Sequence, residues 1–235
     1  RSGSSNCRTV ICIILSLGND MKASIITRAY NRLEYSIACI NSVRENTTFP
    51  YEHIIVNNNS ADGTRQWLDW IMSMSSNYYP NLKPVHMDKN LGDWGGMKHG
   101  ADIATGDYIV QLDNDITVPK NWLTAMIEVL EQTGVGCVTL KRKGVQHVLE
   151  PKGIQDIKTS VGVATVGNIG CSVACYVVRK EDFKLEAKKA YFMAGAIGRG
   201  CLKIVNFPCQ QIEGWDGSTY LQQEKYHKGD IYSGE

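Results

Sequence analysis

The chain lacks any imbalance of charge, and it lacks a long apolar run. Twenty-five basic residues stand against 24 acidic ones, leaving a net charge of +1 with no extended block of either sign. That gives no electrostatic argument for nucleic acid or for an acidic partner. The apolar stretch Val10 to Leu17, preceded by Arg8, is far shorter than the roughly 20 residues that cross a bilayer. No small-residue cleavage site clearly follows it. Residues 1–20, with a Gly/Ser-rich opening, are therefore set aside as an extension or lead-in, and residues 21–235 are expected to form a single domain. No transmembrane segment is expected, and the expected location is cytoplasmic, with at most a peripheral membrane contact.

Paired C-x-x-C zinc signatures are also missing from the eight cysteines, since Cys171 and Cys175 are four apart and Cys201 and Cys209 eight apart. Cys39, Cys137, Cys171 and Cys175 lie inside apolar patterns, where a free thiol behaves as a small buried hydrophobe. Reduced cysteines fit a reducing compartment. No G-x-G-x-x-G follows the first apolar strand, which disfavours an NAD-type site. Internal repeats and low-complexity tracts are absent.

What is present, from residue 22 on, is an alternation of strand and helix. Ala23–Thr27 is a short β-rich run. A helix should follow from Asn31, which can cap it while Glu34 completes a capping box; Leu33, Ile37, Ile40 and Val43 mark its inner stripe. His53–Val56 reads as the next strand, followed by the polar turn 57–63 and a helix that carries Trp67, Leu68, Ile71 and Met72 inward. A third strand is expected near Pro84–Met87 and a third helix from Trp94 to Ala104, capped at Gly106. The apolar run Tyr108–Leu112 precedes a helix opening at Pro119. The pattern predicts an α/β fold with a doubly wound, mostly parallel sheet and helices on both faces. After Gly134 it grows irregular: Val135–Lys141, Val161–Val166 and Cys171–Val178 look like strands, and Lys141–Lys158 reads as a loop.

The most informative residues are Leu112-Asp113-Asn114-Asp115. Two carboxylates one residue apart after a buried strand can converge on a hard divalent cation, which takes oxygen ligands and commonly bridges to phosphates. Open α/β sheets bind ligands at the carboxyl ends of their strands. The segments Thr27–Arg32, Asn57–Thr64 and Asn90-Leu91-Gly92 each follow a predicted strand, so they should share that crevice. Asn57 could meet the polar edge of a base or merely shape a turn. Gly92, Gly95, Gly96 and Gly100 could admit a ligand or serve close helix packing, and Lys98 is a candidate point charge for phosphate.

These residues carry a resemblance. Ser24-Ile25-Ile26-Thr27-Arg28-Ala29-Tyr30-Asn31-Arg32 resembles the "S-I-V-I-P-T-Y-N-R" opening of family-2 glycosyltransferases. Val56–Thr64 is similar to their "V-D-N-G-S-T-D-G-T" loop, and Asn90-Leu91-Gly92 with Ala104–Ile109 to "N-L-G…A-T-G-D-Y-I". Asp113-Asn114-Asp115 matches D-x-D. The resemblance implies a GT-A fold, a nucleotide-sugar donor with UDP favoured, a Mn²⁺ or Mg²⁺ ion and inversion at the anomeric carbon. The acceptor would be a hydroxyl of a glycan, lipid-linked or other molecule. Residues 21–133 would bind the donor and residues 134–235 would face the acceptor.

Carried over position by position, the resemblance makes Asp113 and Asp115 metal ligands, with His227 a candidate third. Thr27, Arg28, Tyr30 and Asn31 become donor-side candidates, as do Asn57, Gly92, Lys98, Asp113 and Asn114. The catalytic base would be Asp216 in Gly214-Trp215-Asp216, with Glu213 as the alternative. Two departures stand out: Asn57 replaces the usual Asp, and Trp215 stands where Glu is usual. The second keeps open a nucleotide-sugar-binding module with impaired catalysis. A sugar-phosphate nucleotidyltransferase is less well supported, because the loop after the first strand carries no glycine.

Overall fold

A computed structural model describes residues 21–74, 77–143, 152–168, 174–183 and 200–212. In chain order they form β1 (Ala23–Ala29), α1 (Leu33–Asn46), β2 (Tyr51–Asn57), α2 (Thr64–Met74), β3 (Leu82–His86), α3 (Gly92–Ile103), β4 (Tyr108–Leu112) and β5 (Ile116–Thr117). They continue as α4 (Trp122–Thr133), β6 (Cys137–Arg142), β7 (Lys152–Thr159), β8 (Gly162–Asn168), β9 (Cys175–Arg179), a 3₁₀ turn at Lys180–Asp182, and β10 (Cys201–Gln211).

The strands make one sheet in the order β3-β2-β1-β4-β9-β6-β10-β8-β7, with β5 paired to β10. From β3 to β4 every pairing is parallel. β9 then inserts antiparallel between β4 and β6, and β10 runs parallel to β6 but antiparallel to β8. β1 is apolar along most of its length because the sheet is covered on both faces. On one face Ala23 and Ile25 pack with Cys39 and Val43 of α1 and with α4, and Ile55 packs with Leu68 and Ile71 of α2. On the other, Ile26, Ile54 and Val56 pack with Met97 of α3. Trp122 anchors α4, fully buried, with its indole N–H donating to Thr47 Oγ1 at 2.9 Å. This is the GT-A arrangement anticipated above, a mixed open sheet with helices on both faces.

Several local expectations are corrected. Asn31 does not cap α1: both Asn31 and Arg32 adopt positive φ (56° and 58°), and no side chain of the cap residue serves the helix. Asp62, from the loop after β2, supplies the missing acceptor, taking the Leu33 N–H at 2.8 Å while its other oxygen takes the N–H and hydroxyl of Thr64 at the start of α2. A carboxylate between two helix N-termini satisfies orphan donors and opposes both dipoles. Leu33 and Ile37 are only partly buried, and Ser36 and Cys39 join Ile40 and Val43 on the inner side.

Gly106 is no left-handed cap either. α3 ends at Ala104 in extended backbone, and a Cβ on Gly106 would lie 2.7 Å from Lys22 O, Ala23 C and Ser24 N. Glycine is needed there for close approach of backbone, and its N–H donates to Ser24 Oγ at 2.8 Å. α4 opens at Trp122 instead of Pro119, and the left-handed cap belongs to Gly134 (φ 67°), which bonds Leu130 O at 3.0 Å. Part of the expected loop 141–158 is strand β7, paired antiparallel with β8. Cys39, Cys137, Cys175 and Cys209 are buried, while Cys171 lies outside the described residues. No helix among the described residues is long and apolar enough to cross a membrane.

Candidate active site

In the strand order, β1 lies between β2 and β4, so the crossovers leaving β1 and β4 diverge to opposite sides and open a crevice at their carboxyl ends. Arg28 stands at the end of β1 and Asp113 directly after β4. Across that crevice the Arg28 Nη2–H donates to Asp113 Oδ1 at 2.7 Å. Its Nη1 reaches the carbonyl of Asp93 at 3.2 Å and that residue's carboxylate at 3.7 Å. Arg32 Nη1 lies 3.7 Å from Asp115 Oδ2. Each D-x-D carboxylate thus faces one arginine, tightly at Asp113 and loosely at Asp115.

Backbone contacts fix this loop. Asp113 N–H donates to Ala174 O at 2.9 Å, just before β9, and Ile116 N–H donates to Asp113 O at 3.2 Å. Ile212 N–H donates to Asp115 O at 2.9 Å, which brings the end of β10 to the D-x-D turn. Asn114 turns away from the crevice, donating its amide to Ser36 Oγ at 3.1 Å. Burial is the main cause that lifts the Asp113 carboxyl to about 6; Arg28 opposes the rise, and the Asp115 and Asp93 charges add to it. Among the described residues three carboxylates face two guanidinium groups, an arrangement that could take a divalent cation. The donors are hard oxygens, as such a cation requires. Among the described residues no cluster of three or more His, Cys, Asp or Glu side chains forms. Among the described residues, Asp113 and Asp115 are the carboxylates at this turn that could hold such a cation.

The other loops interlock beside this pair. Asn31 Oδ1 accepts the Ala61 N–H at 2.8 Å and its own N–H donates to Ser60 Oγ at 2.9 Å, tying the loop after β1 to that after β2. Two consecutive left-handed non-glycine residues are strained, and such strain concentrates at functional sites. Asn57 is buried with both ends of its amide engaged: Oδ1 accepts from Ser60 N–H at 3.0 Å and Nδ2 donates to His86 Nδ1 at 3.0 Å. The far nitrogen of His86 then donates to Asp69 Oδ1 at 3.0 Å. Asn58 braces the N-L-G turn, accepting from Leu91 N–H at 2.8 Å and donating to Asn90 Oδ1 and Gly92 O.

Not every candidate converges. Thr27 is fully buried with its hydroxyl 2.9 Å from His53 Nε2, so its side chain belongs to the core. Tyr30 is partly exposed just after β1. Lys98 is exposed on α3 and paired with Asp102 at 2.6 Å along the helix. Gly92 supplies a left-handed start to α3 (φ 66°), whereas a Cβ at Gly100 would meet Ile26 at 2.5 Å, so that glycine serves helix packing. Glu213, Asp216 and His227 lie outside the described residues. Arg32, Asn58 and Asp93 carry no local signal of a site role in the sequence, and only folding shows what they touch.

A doubly wound sheet with an acidic pair at its switch point is an α/β arrangement of GT-A type. The chain belongs to glycosyl transferase family 2, whose family model matches residues 24–178. It is 31% identical over 130 residues to an uncharacterized glycosyltransferase, alr2836, of Nostoc sp., covering 55% of this chain and 37% of that protein. It is 30% identical over 115 residues to the amylovoran biosynthesis glycosyltransferase AmsB of Erwinia amylovora, covering 48% and 37%. The chain thus spans little more than a third of the length of these relatives. Among solved structures, the mannosyltransferase PcManGT of Pyrobaculum calidifontis, in complex with GDP-Man and Mn²⁺, superposes with a TM-score of 0.64 at 16% identity, covering 91% of this chain and 65% of that one. S. aureus TarS 1-349 in complex with UDP-GlcNAc superposes with a TM-score of 0.61 at 19% identity, covering 85% and 61%. At these identities the likeness establishes the fold alone.

Proposed function

We propose that the chain is the catalytic region of a cation-dependent, inverting glycosyltransferase that moves a sugar from a nucleotide diphosphate to an acceptor hydroxyl. The observation that carries this reading is the Asp113/Asp115 pair at the switch point, at the carboxyl end of β4 and facing Arg28 and Arg32. Asp113 and Asp115, with His227 as a candidate third ligand, would hold a Mn²⁺ or Mg²⁺ ion, which supplies neutralisation of the diphosphate leaving group. The loops after β1 and β2, through Tyr30 and Asn31, would line the nucleoside, with Asn57 shaping the second loop from below, and Gly92 would let the N-L-G turn approach it. UDP is the favoured carrier by family resemblance.

Asp216, or else Glu213, would take the acceptor's proton as the acceptor oxygen bonds to the anomeric carbon. The bond from that carbon to the diphosphate oxygen breaks on the opposite face, and its electron pair leaves with the diphosphate. The complexes of TarS with UDP-GlcNAc and of PcManGT with GDP-Man and Mn²⁺ support the donor class.

A panel of UDP-, GDP- and ADP-sugars, scored by thermal shift with and without Mn²⁺, tests the reading. The expected result is stabilisation by UDP-sugars that requires the cation. Absence of any nucleotide-dependent shift would overturn it, and a clear purine preference would overturn the choice of base.

A further inference from the structure

The guanidinium of Arg28 lies where the proposed donor diphosphate and its cation would meet, and it is built in rather than draped there. The side chain is only 9% exposed. A Cβ on Gly96 would come within 3.3 Å of Arg28 Cγ, so α3 presents a glycine where the arginine stem passes. The Nε–H is buried without a partner, and Nη1 is only loosely held by Asp93, whose side chain is 83% exposed. Among the described residues its one close charge contact is Asp113 Oδ1 at 2.7 Å.

We propose that Arg28 is an exchangeable counter-ion: it neutralises Asp113 while the crevice is empty and turns its fork to the donor diphosphate when a divalent cation takes Asp113. The proposal rests on the crevice being a nucleotide-sugar site. Its physical basis is competition for one carboxylate. A guanidinium 2.7 Å from Asp113 repels a second cation seeking the same oxygen, yet a largely buried guanidinium that loses this close partner needs another anion. Its planar fork matches phosphate oxygens better than any other group a nucleotide carries. Cation and diphosphate therefore bind with positive coupling that runs through Arg28, whereas a nucleoside monophosphate gains little from it.

Calorimetry on the folded chain with Mn²⁺ alone, and with UDP and UMP in the presence of Mn²⁺, tests this. In Arg28→Gln, affinity for Mn²⁺ alone should rise about tenfold because the competitor is gone. Affinity for UDP should fall by about 10- to 100-fold and for UMP by less than about 3-fold, a loss in the range of ordinary coupling between sites. Arg28→Lys, which keeps the charge and most of the stem, provides a second variant if the glutamine form does not fold. It should leave Mn²⁺ affinity near the parent value and weaken UDP binding about 3- to 10-fold, since a point charge lacks the fork. Equal losses for UDP and UMP, or unchanged Mn²⁺ affinity in Arg28→Gln, would overturn the exchange. Failure of the parent chain to bind UDP at all would sink both this proposal and the reading of the crevice; normal parent binding with parent-like variants would sink the proposal alone.

Discussion

Truncating Asp113 and Asp115 one at a time should separate a cost in stability from a cost in binding. Asp113 is 32% exposed and pairs at 2.7 Å with an arginine that is 9% exposed. Removing it strands a mostly buried guanidinium beside the 3.7 Å contact to Asp93. Loss of one partner from a fully buried pair costs roughly 3–5 kcal/mol; discounted for the solvent around the carboxylate, about 2 kcal/mol is expected here. Asp115 stands 3.7 Å from Arg32, which is 25% exposed, a loose pair in the range of about 0–1 kcal/mol. Its carbonyl, not its carboxylate, receives Ile212, so Asp115→Ala keeps that bond. Denaturant unfolding should therefore place Asp115→Ala within about 1 kcal/mol of the parent and Asp113→Ala about 2 kcal/mol below it. Both should abolish Mn²⁺-dependent binding of UDP in calorimetry. Equal stability losses would refute the argument from Arg28, and undiminished UDP affinity in either variant would refute the ligand assignment.

Acid should destabilise the fold in two stages. Burial holds His53 near 3 against a usual 6.5; the unfolded chain takes up its proton first, so stability falls as pH drops below about 6.5. Burial raises Glu52, but hydrogen bonds from Lys83, Ser24 and Thr105 outweigh it and hold the carboxyl near 2 against a usual 4.5, so a further loss runs from about 4.5 down to 2. Asp113, lifted to about 6 from 3.8, acts with the opposite sign and partly offsets the first stage. Unfolding midpoints across pH check the sum, and Glu52→Gln should flatten the lower stage; an unaltered slope there would count against it. Gly106→Ala should cost about 3 kcal/mol, the upper end of overpacking, because the new methyl meets backbone at 2.7 Å and not a movable side chain; a midpoint within about 0.5 kcal/mol of the parent contradicts this. Asp216→Asn should leave UDP and Mn²⁺ affinity intact and lower acceptor-dependent turnover by about 10²–10⁴-fold, with Glu213→Gln much milder; full turnover in Asp216→Asn would move the base elsewhere.

Apolar runs and helical spacing were enough to place β1, β2, β4, α2 and α4 to within a few residues, because burial on an element imprints its own period on that element. The acidic pair was legible for the same local reason: a strand that ends in Asp113-Asn114-Asp115 delivers both carboxylates to the sheet's carboxyl edge whatever surrounds it. Asp62 capping a helix 29 residues upstream, and β9 slipping between β4 and β6, left no periodic trace. The same holds for Gly106, whose meaning is the backbone of β1 pressed against it, and for the turn role of Asn57, which depends on His86 and Ser60. Arg28 could be read as a loop cation near a ligand; that it grips Asp113 across 85 residues of sequence was decided only when β1 and β4 became neighbours. Pairing between strands and contacts across a crevice depend on which edges meet, and that is a property of the packed sheet, not of any one segment.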